Sequence, residues 1–206
     1  MWPLLAEIPR HFVLYGGTAV ALRLGHRVSV DFDFFSAEPF RPDAILTAVS
    51  WLRTGELRFF QRQNNTLTVE AGGPAGAVKL SFFGGLGIGQ VCAPDICPDN
   101  GLKVASAEDL LALKLATIQQ REEAKDFFDI HALLRAGLPL EQALGHLEAI
   151  HPIGTNAIIT LKALVYFKGG DLEALPDDLK RDLEAAVRRA REVIPYRGIT
   201  KPIGTM

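Results

Sequence analysis

The sequence predicts an α+β protein: a mixed β-sheet flanked by helices over residues 1–100, then a helical C-terminal part, residues 101–206, packed on it as a bundle. Short runs rich in β-branched and aromatic residues, separated by Gly and Asn turn signals, fill the first half. Past Lys103 the apolar residues fall at helical spacing instead. With 206 residues, 48% of them hydrophobic, the chain can bury a sizeable core and is not a disordered polymer.

Residues 1–10 form a short apolar lead-in, and Phe12–Tyr15 reads as a strand. Gly16-Gly17-Thr18 is a small-residue turn. It opens a helix over Thr18–Leu24, with Ala19, Ala21 and Leu22 facing inward, Thr18 suited to the N-cap and Gly25 to the C-terminal cap. Val28–Phe35 is an acidic strand. Pro42 fits the first turn of a helix reaching Leu52. Leu57–Gln61, Thr66–Ala71 and Ala77–Phe83 read as three strands, joined at Asn64-Asn65 and across Gly72–Gly76, and Ile88–Cys92 as an edge strand. The glycine-rich run Gly84–Gly89 lacks the G-x-G-x-x-G spacing and a following helix, so it reads as a hairpin loop rather than a dinucleotide site. Ser106–Asp109 resembles a capping box with Asp in place of Glu. It precedes a leucine-rich helix carrying Lys114. Further helices are expected over Ala124–Arg135, Leu140–Ile150, Asn156–Phe167 and Asp177–Val193, with a loose tail from Tyr196 onward.

A formal net charge of −2 gives no global basic footprint of the kind dedicated nucleic-acid binders carry, though a local patch stays open. Cys92 and Cys97 have no Cys or His nearby to complete a metal site, so they read as reduced thiols. No signal peptide or membrane-spanning stretch is apparent, and the expectation is a soluble, cytoplasmic protein with no membrane partner.

The stretch from Tyr15 to Ser36 carries the chemistry. Alternation puts Asp31 and Asp33 on one strand face, with Phe32 and Phe34 on the other. Two adjacent carboxylates repel unless a cation joins them, and Mg²⁺ favours carboxylates combined with phosphate oxygens. Gly16 and Gly17 would let a phosphate approach backbone N–H groups at a helix start, with Thr18 beside them. Arg27 and Ser29 fall on the acidic face and are further candidates for nucleotide contact. His26 reads as a turn residue. Each has a plainer alternative: a solvated edge strand, a tight turn, small polar strand residues. Lys114 interrupts an apolar run, either as a lysine whose stem packs while its ammonium reaches water or as a phosphate-binding cation. Asp126 and Asp129 share a helix face and could pair with Lys125 or Arg121 at the surface.

Gly16-Gly17-Thr18, twelve residues, then Asp31-Phe32-Asp33 matches the nucleotidyltransferase superfamily that includes DNA polymerase beta. The surrounding Gly-Gly-Thr-Ala-Val-Ala-Leu and Gly-His-Arg-Val-Ser-Val-Asp-Phe-Asp-Phe-Phe resemble the AbiEii/AbiGii toxin branch. So does a second block, Ala105–Leu115, then Arg121 and Lys125–His131. The resemblance covers residues 12 to 135. It implies a nucleotidyltransferase-type fold and Mg²⁺-dependent transfer of a nucleoside monophosphate from an NTP to an acceptor hydroxyl, on tRNA or another RNA, by a toxin with a cognate antitoxin. It also implies catalytic roles for Asp31, Asp33 and Lys114, with Asp129 or Asp126 orienting Lys114 or the acceptor hydroxyl.

One departure stands out. The superfamily places a third acid on a later strand, and Ala77–Phe83 offers Lys79 and Ser81 instead, with Glu70 on the preceding strand as a substitute if it faces the site. A catalytically degenerate nucleotide-binding module and a small-molecule nucleotidyltransferase are therefore the alternatives. Arg188, Arg189 and Arg191 could meet RNA phosphate, or form an ordinary solvated helix face.

Overall fold

The computed structural model describes residues 2–72, 76–151 and 155–205; residues 73–75 of the expected Gly72–Gly76 turn lie outside them. A 3₁₀ helix, Trp2–Glu7, leads into β1 (Val13–Tyr15), α1 (Gly16–Leu24) and β2 (Phe32–Phe35). Then come α2 (Pro42–Ala48), α3 (Ser50–Thr54), β3 (Leu57–Gln63), β4 (Thr66–Ala71), β5 (Val78–Phe83), β6 (Gly89–Gln90), β7 (Asp95–Ile96) and β8 (Lys103–Val104). Helices α4 (Ala107–Thr117), α5 (Ala124–Arg135), α6 (Leu140–Ile150), α7 (Ala157–Leu164) and α8 (Asp177–Arg189) follow, and β9 (Lys201–Pro202) closes the chain.

Seven strands form one mixed sheet in the order β3-β4-β5-β2-β1-β8-β7. β2 runs antiparallel to β1 and parallel to β5, so Asp33 sits between Tyr15 on one side and Ser81 on the other. Phe34 and Phe82 stack on the opposite face at 5.0 Å between ring centroids, and Phe12 meets Phe82 edge-on. The buried apolar side chains of sheet and helices form one continuous core, from Leu5 to Ile203.

Several expected boundaries moved. The acidic strand was expected from Val28 but begins at Phe32. In the antiparallel β1–β2 register Tyr15 is opposite Asp33, and at Gly16 the partner chain turns into α1, so residues 28–31 have nothing to pair with on that side. Val28 and Val30 are accordingly exposed. The Pro42–Leu52 helix breaks at the buried, extended Val49, and the Ser50 hydroxyl at the start of α3 donates to the Glu7 carboxylate at 2.9 Å. Leu22 is exposed rather than inward, and Val20 takes the buried place beside Ala19. Lys103–Val104, expected in a helical region, is a strand parallel to β1.

The expected loose tail is not loose. Lys201–Pro202 pairs antiparallel with Gly89–Gln90, and Ile203 is buried. At Ser106 the capping reading holds on one side, since its hydroxyl accepts from the Asp109 N–H. The Asp109 carboxylate does not reach back to the cap's own N–H. It accepts from the backbone N–H groups of Val91 and Cys92 and from the Ser106 hydroxyl, which anchors α4 to the β6–β7 connection.

Gly145, inside α6, lies under this tail: a Cβ there would collide with the backbone carbonyl of Ile194, whose own N–H donates to the Glu141 carbonyl at 3.0 Å. Gly→Ala within a helix normally stabilises by about 1 kcal/mol. Gly145→Ala is expected to do the reverse and lower the urea midpoint by more than 1 kcal/mol in equivalent stability; a gain in stability would show that the tail does not pack here.

Candidate active site

A cavity of about 710 Å³ opens between the β1–β2–β5 part of the sheet and α4–α5. Asp31 and Asp33 line it together with Gly16 and Gly17 at the start of α1, Arg27 and Ser29 from the connection to β2, and Lys114 and Arg121 from α4 and the residues after it. Lys79 and Lys125 line it as well.

Asp33 projects from β2 in register with Ser81 of β5. Burial, and then the neighbouring Asp31 charge, hold the Asp33 carboxyl above the usual carboxylate range, opposed by Ser81, Lys79 and Lys114. Asp31 reaches the cavity from just outside the strand, and its carbonyl accepts from the Thr18 hydroxyl. The Thr18 oxygen accepts in turn from the Ser29 hydroxyl, Oγ to Oγ1 2.9 Å. Thr18 is therefore not the N-cap, a place taken by Tyr15 without a side-chain bond. It is buried, does not line the cavity, and pins the Asp31 loop.

Opposite the acids lies a buried ionic network. Lys114 Nζ is 2.6 Å from Asp126 Oδ1 and 2.6 Å from Asp129 Oδ2. Asp129 also accepts from Arg27 Nε at 2.7 Å and Nη2 at 2.9 Å, a two-bond fork, and contacts His26 Nε2 at 2.7 Å. Asp126 accepts a second fork, from Arg121 Nε at 2.8 Å and Nη2 at 3.1 Å. Both aspartates are 0% exposed. Burial alone would raise their pKa values, but the Arg121, Arg27 and Lys114 contacts outweigh it and hold both below the usual range. Of the pairings open from sequence, Asp126 does meet Arg121, though its carboxylate is buried rather than at the surface, while Lys125 pairs with Glu123 at 2.6 Å instead. The Asp126 and Asp129 carboxylates are thus occupied by Lys114, the two arginines and His26.

The two glycines have a packing reason beyond any phosphate. Gly16 has φ +71° and its missing Cβ leaves room for the Asp33 carboxylate; a Cβ at Gly17 would strike the Arg27 guanidinium. Arg27 reaches the site through this loop geometry, not by strand alternation. Glu70 is paired in register with Lys79 and does not line the cavity, so it does not replace the acid absent at Ser81. His26 was passed over in the sequence because its partner Asp129 is over a hundred positions away. The Arg121–Asp126 pair, five residues apart across the α4–α5 turn, left a local signal.

Among the described residues no three His, Cys, Asp or Glu side chains converge as a metal cage. Asp31 and Asp33 instead offer a two-carboxylate partial shell, which fits Mg²⁺ because that ion is usually held by one or two carboxylates plus substrate phosphates and water. Phe35, Phe83, Leu86, Ile88 and Leu110 form an apolar part of the remaining lining, and Thr117, Gln120 and His151 a polar part, beside the acid pair and the cations.

Residues 5–194 match the family model described as nucleotidyl transferase AbiEii toxin of type IV toxin–antitoxin systems. The chain belongs to the AbiEii nucleotidyltransferase toxin family. It is 32% identical over 169 residues to an uncharacterized protein of Aquifex aeolicus (strain VF5), spanning 81% of this chain and 78% of that one. In fold it is similar to a crystal structure of an H. pylori protein assigned as a nucleotidyltransferase, with TM-score 0.56 and 18% identity over 94% of this chain and 93% of that one. It is also similar to MenT4, a nucleotidyltransferase toxin of Mycobacterium tuberculosis H37Rv, with TM-score 0.52 and 15% identity over 92% and 89% of the two chains.

In metal-free protein, carboxyl ¹³C NMR should find Asp33 titrating above the ordinary value of about 3.9. Because the Asp31 charge raises it, Asp31→Asn should move the Asp33 midpoint downward. An unchanged or higher midpoint would show that the two carboxylates are not neighbours.

Proposed function

We propose that this chain transfers a nucleoside monophosphate from an NTP to an acceptor hydroxyl in an Mg²⁺-dependent reaction, using the cavity between the sheet and α4–α5. The observation that carries this reading is that Asp31, Asp33, Arg27, Lys114 and Arg121 line one space. An acid pair alone would suit a cation, and a cation cluster alone would suit any anion. Together they suit a polyphosphate bridged to carboxylates by a divalent ion.

In this reading the triphosphate lies along the cationic side and the nucleobase occupies the apolar side. Mg²⁺, held by Asp31 and Asp33 and by phosphate oxygens, would supply charge neutralisation at the reacting phosphate. Lys114 and the arginines, fixed in advance by Asp126 and Asp129, stabilise the negative charge that builds on the phosphoryl oxygens and on the departing pyrophosphate. The acceptor oxygen forms a bond to the α-phosphorus as the bridge to the β-phosphate breaks. With Asp31 and Asp33 committed to the cation and Ser81 standing where the superfamily has a third acid, the proton of the attacking hydroxyl passes to solvent water. Gly16 and Gly17 bring the first N–H groups of α1 to the phosphate side of the cavity.

The acceptor proposed is RNA, with tRNA ends as the first choice. Lys79 and Lys125, which line the cavity along with Arg121, support a polyanionic partner. The family's toxin description supports a cognate antitoxin. A second reading, a nucleotide-binding module without turnover, rests on Ser81 standing beside Asp33 where an acid was expected.

Incubation with each labelled NTP, Mg²⁺ and bulk tRNA separates the two. Asp31→Ala with Asp33→Ala should reduce label transfer by at least about a thousandfold while circular dichroism stays native, as expected when the transition-state charge loses its counter-ion. Full transfer by the folded double variant would refute the mechanism. Binding without transfer by the unmodified protein would favour the module.

A further inference from the structure

The glycine-rich run 84–89, set aside as a cofactor motif, forms part of the cavity. Leu86 and Ile88 of this run line its apolar side. With glycines at 84, 85, 87 and 89, the run has little intrinsic stiffness, and a wall built from it must be fixed from outside. On one side the Leu86 N–H donates to the Ser36 carbonyl at 3.1 Å. On the other side Asp109 holds the Val91 and Cys92 N–H groups, and the end of the chain holds Gly89, Gln90 and Val91. Tyr196 Oη donates to the Val91 carbonyl at 3.0 Å, and Lys201–Pro202 pairs with Gly89–Gln90. The buried Gln90 side chain donates from Nε2 to the Thr205 carbonyl at 2.7 Å and accepts the Gly204 N–H at 3.2 Å. Lys103 Nζ donates to the Gly204 carbonyl at 2.7 Å, and Ile203 is 2% exposed. This strap lies beyond residue 194, where the family match stops.

We propose that the strap is a positioning element of the nucleotide cavity: by clamping Gly89–Gln90 it holds the Leu86–Ile88 wall and so sets affinity for the nucleobase, leaving triphosphate binding unaffected. Gln90 and Ile203 are its positioning residues; neither lines the cavity. The inference rests on the nucleotide reading above and adds to it a contribution from outside the family-matched region.

Calorimetry on the full chain tests it, with each of the four NTPs in Mg²⁺ and, separately, with inorganic tripolyphosphate, which has no base. Gln90→Ala should raise the NTP Kd about fivefold, roughly one lost hydrogen bond's worth, and leave the tripolyphosphate Kd unchanged. Ile203→Ala should give the same split and carries the test if Gln90→Ala does not fold. A merely structural role would lower the melting temperature and the competent fraction but move both ligands alike. Equal weakening for NTP and tripolyphosphate, or an unchanged NTP Kd, overturns the strap. If the unmodified chain binds neither ligand, the nucleotide reading falls and the strap proposal with it. If the unmodified chain and both variants bind NTP equally, only the strap proposal falls.

Discussion

Two carboxylates with no exposure to water, Asp126 and Asp129, share one lysine, and the arrangement around them depends on that contact. Burying an ion costs several kcal/mol even after relaxation, and the cost is offset only when its partners are close and its lone pairs are filled. Here Lys114 bridges the two acids, Arg27 and Arg121 each supply a fork, and His26 adds a further contact. The network thereby joins α4, α5 and the connection between α1 and β2. Because both acids titrate below the usual range, what they contribute is present in full above the unfolded carboxylate pKa. It is lost only as pH falls through their lowered folded values.

The same contacts decide which cations face the acid pair. A guanidinium free to move would lose entropy on meeting a phosphate, whereas one already forked onto a carboxylate has lost most of it in folding. The glycines at the start of α1 belong to this design: Gly17 leaves the volume that the Arg27 guanidinium occupies, and Gly16 the volume beside Asp33. Asp126 and Asp129 thereby hold Lys114 and the arginines in place.

Local signals in the sequence marked a good part of this. The bounds of α5 and α6, the Gly25 cap and the polar break at Lys114 follow from capping and periodicity, and the Gly16-Gly17 and Asp31-x-Asp33 spacing located two walls of the cavity. What escaped depended on distant partners. Strand alternation was extended through residues 28–31, but a strand lasts only as far as its neighbours, and β1 ends at Tyr15. The two-residue strands β8 and β9 have no periodicity to detect, so the tail read as loose although Gln90 and Ile203 hold it. Asp126 and Asp129 looked like surface charges because nothing within one helix shows that Arg27 and His26 will arrive from the other half of the chain.

Asp126→Asn gives the sharpest discrimination. It removes a negative charge from the site proposed to bind a polyphosphate, so simple Coulomb attraction would make inorganic tripolyphosphate bind more tightly. If Asp126 serves to hold Lys114 and Arg121 in place, calorimetry on the folded variant should instead show binding weakened about tenfold, near 1.4 kcal/mol. Tighter or unchanged binding by a well-folded Asp126→Asn protein would contradict the holding role and leave the network a purely structural feature.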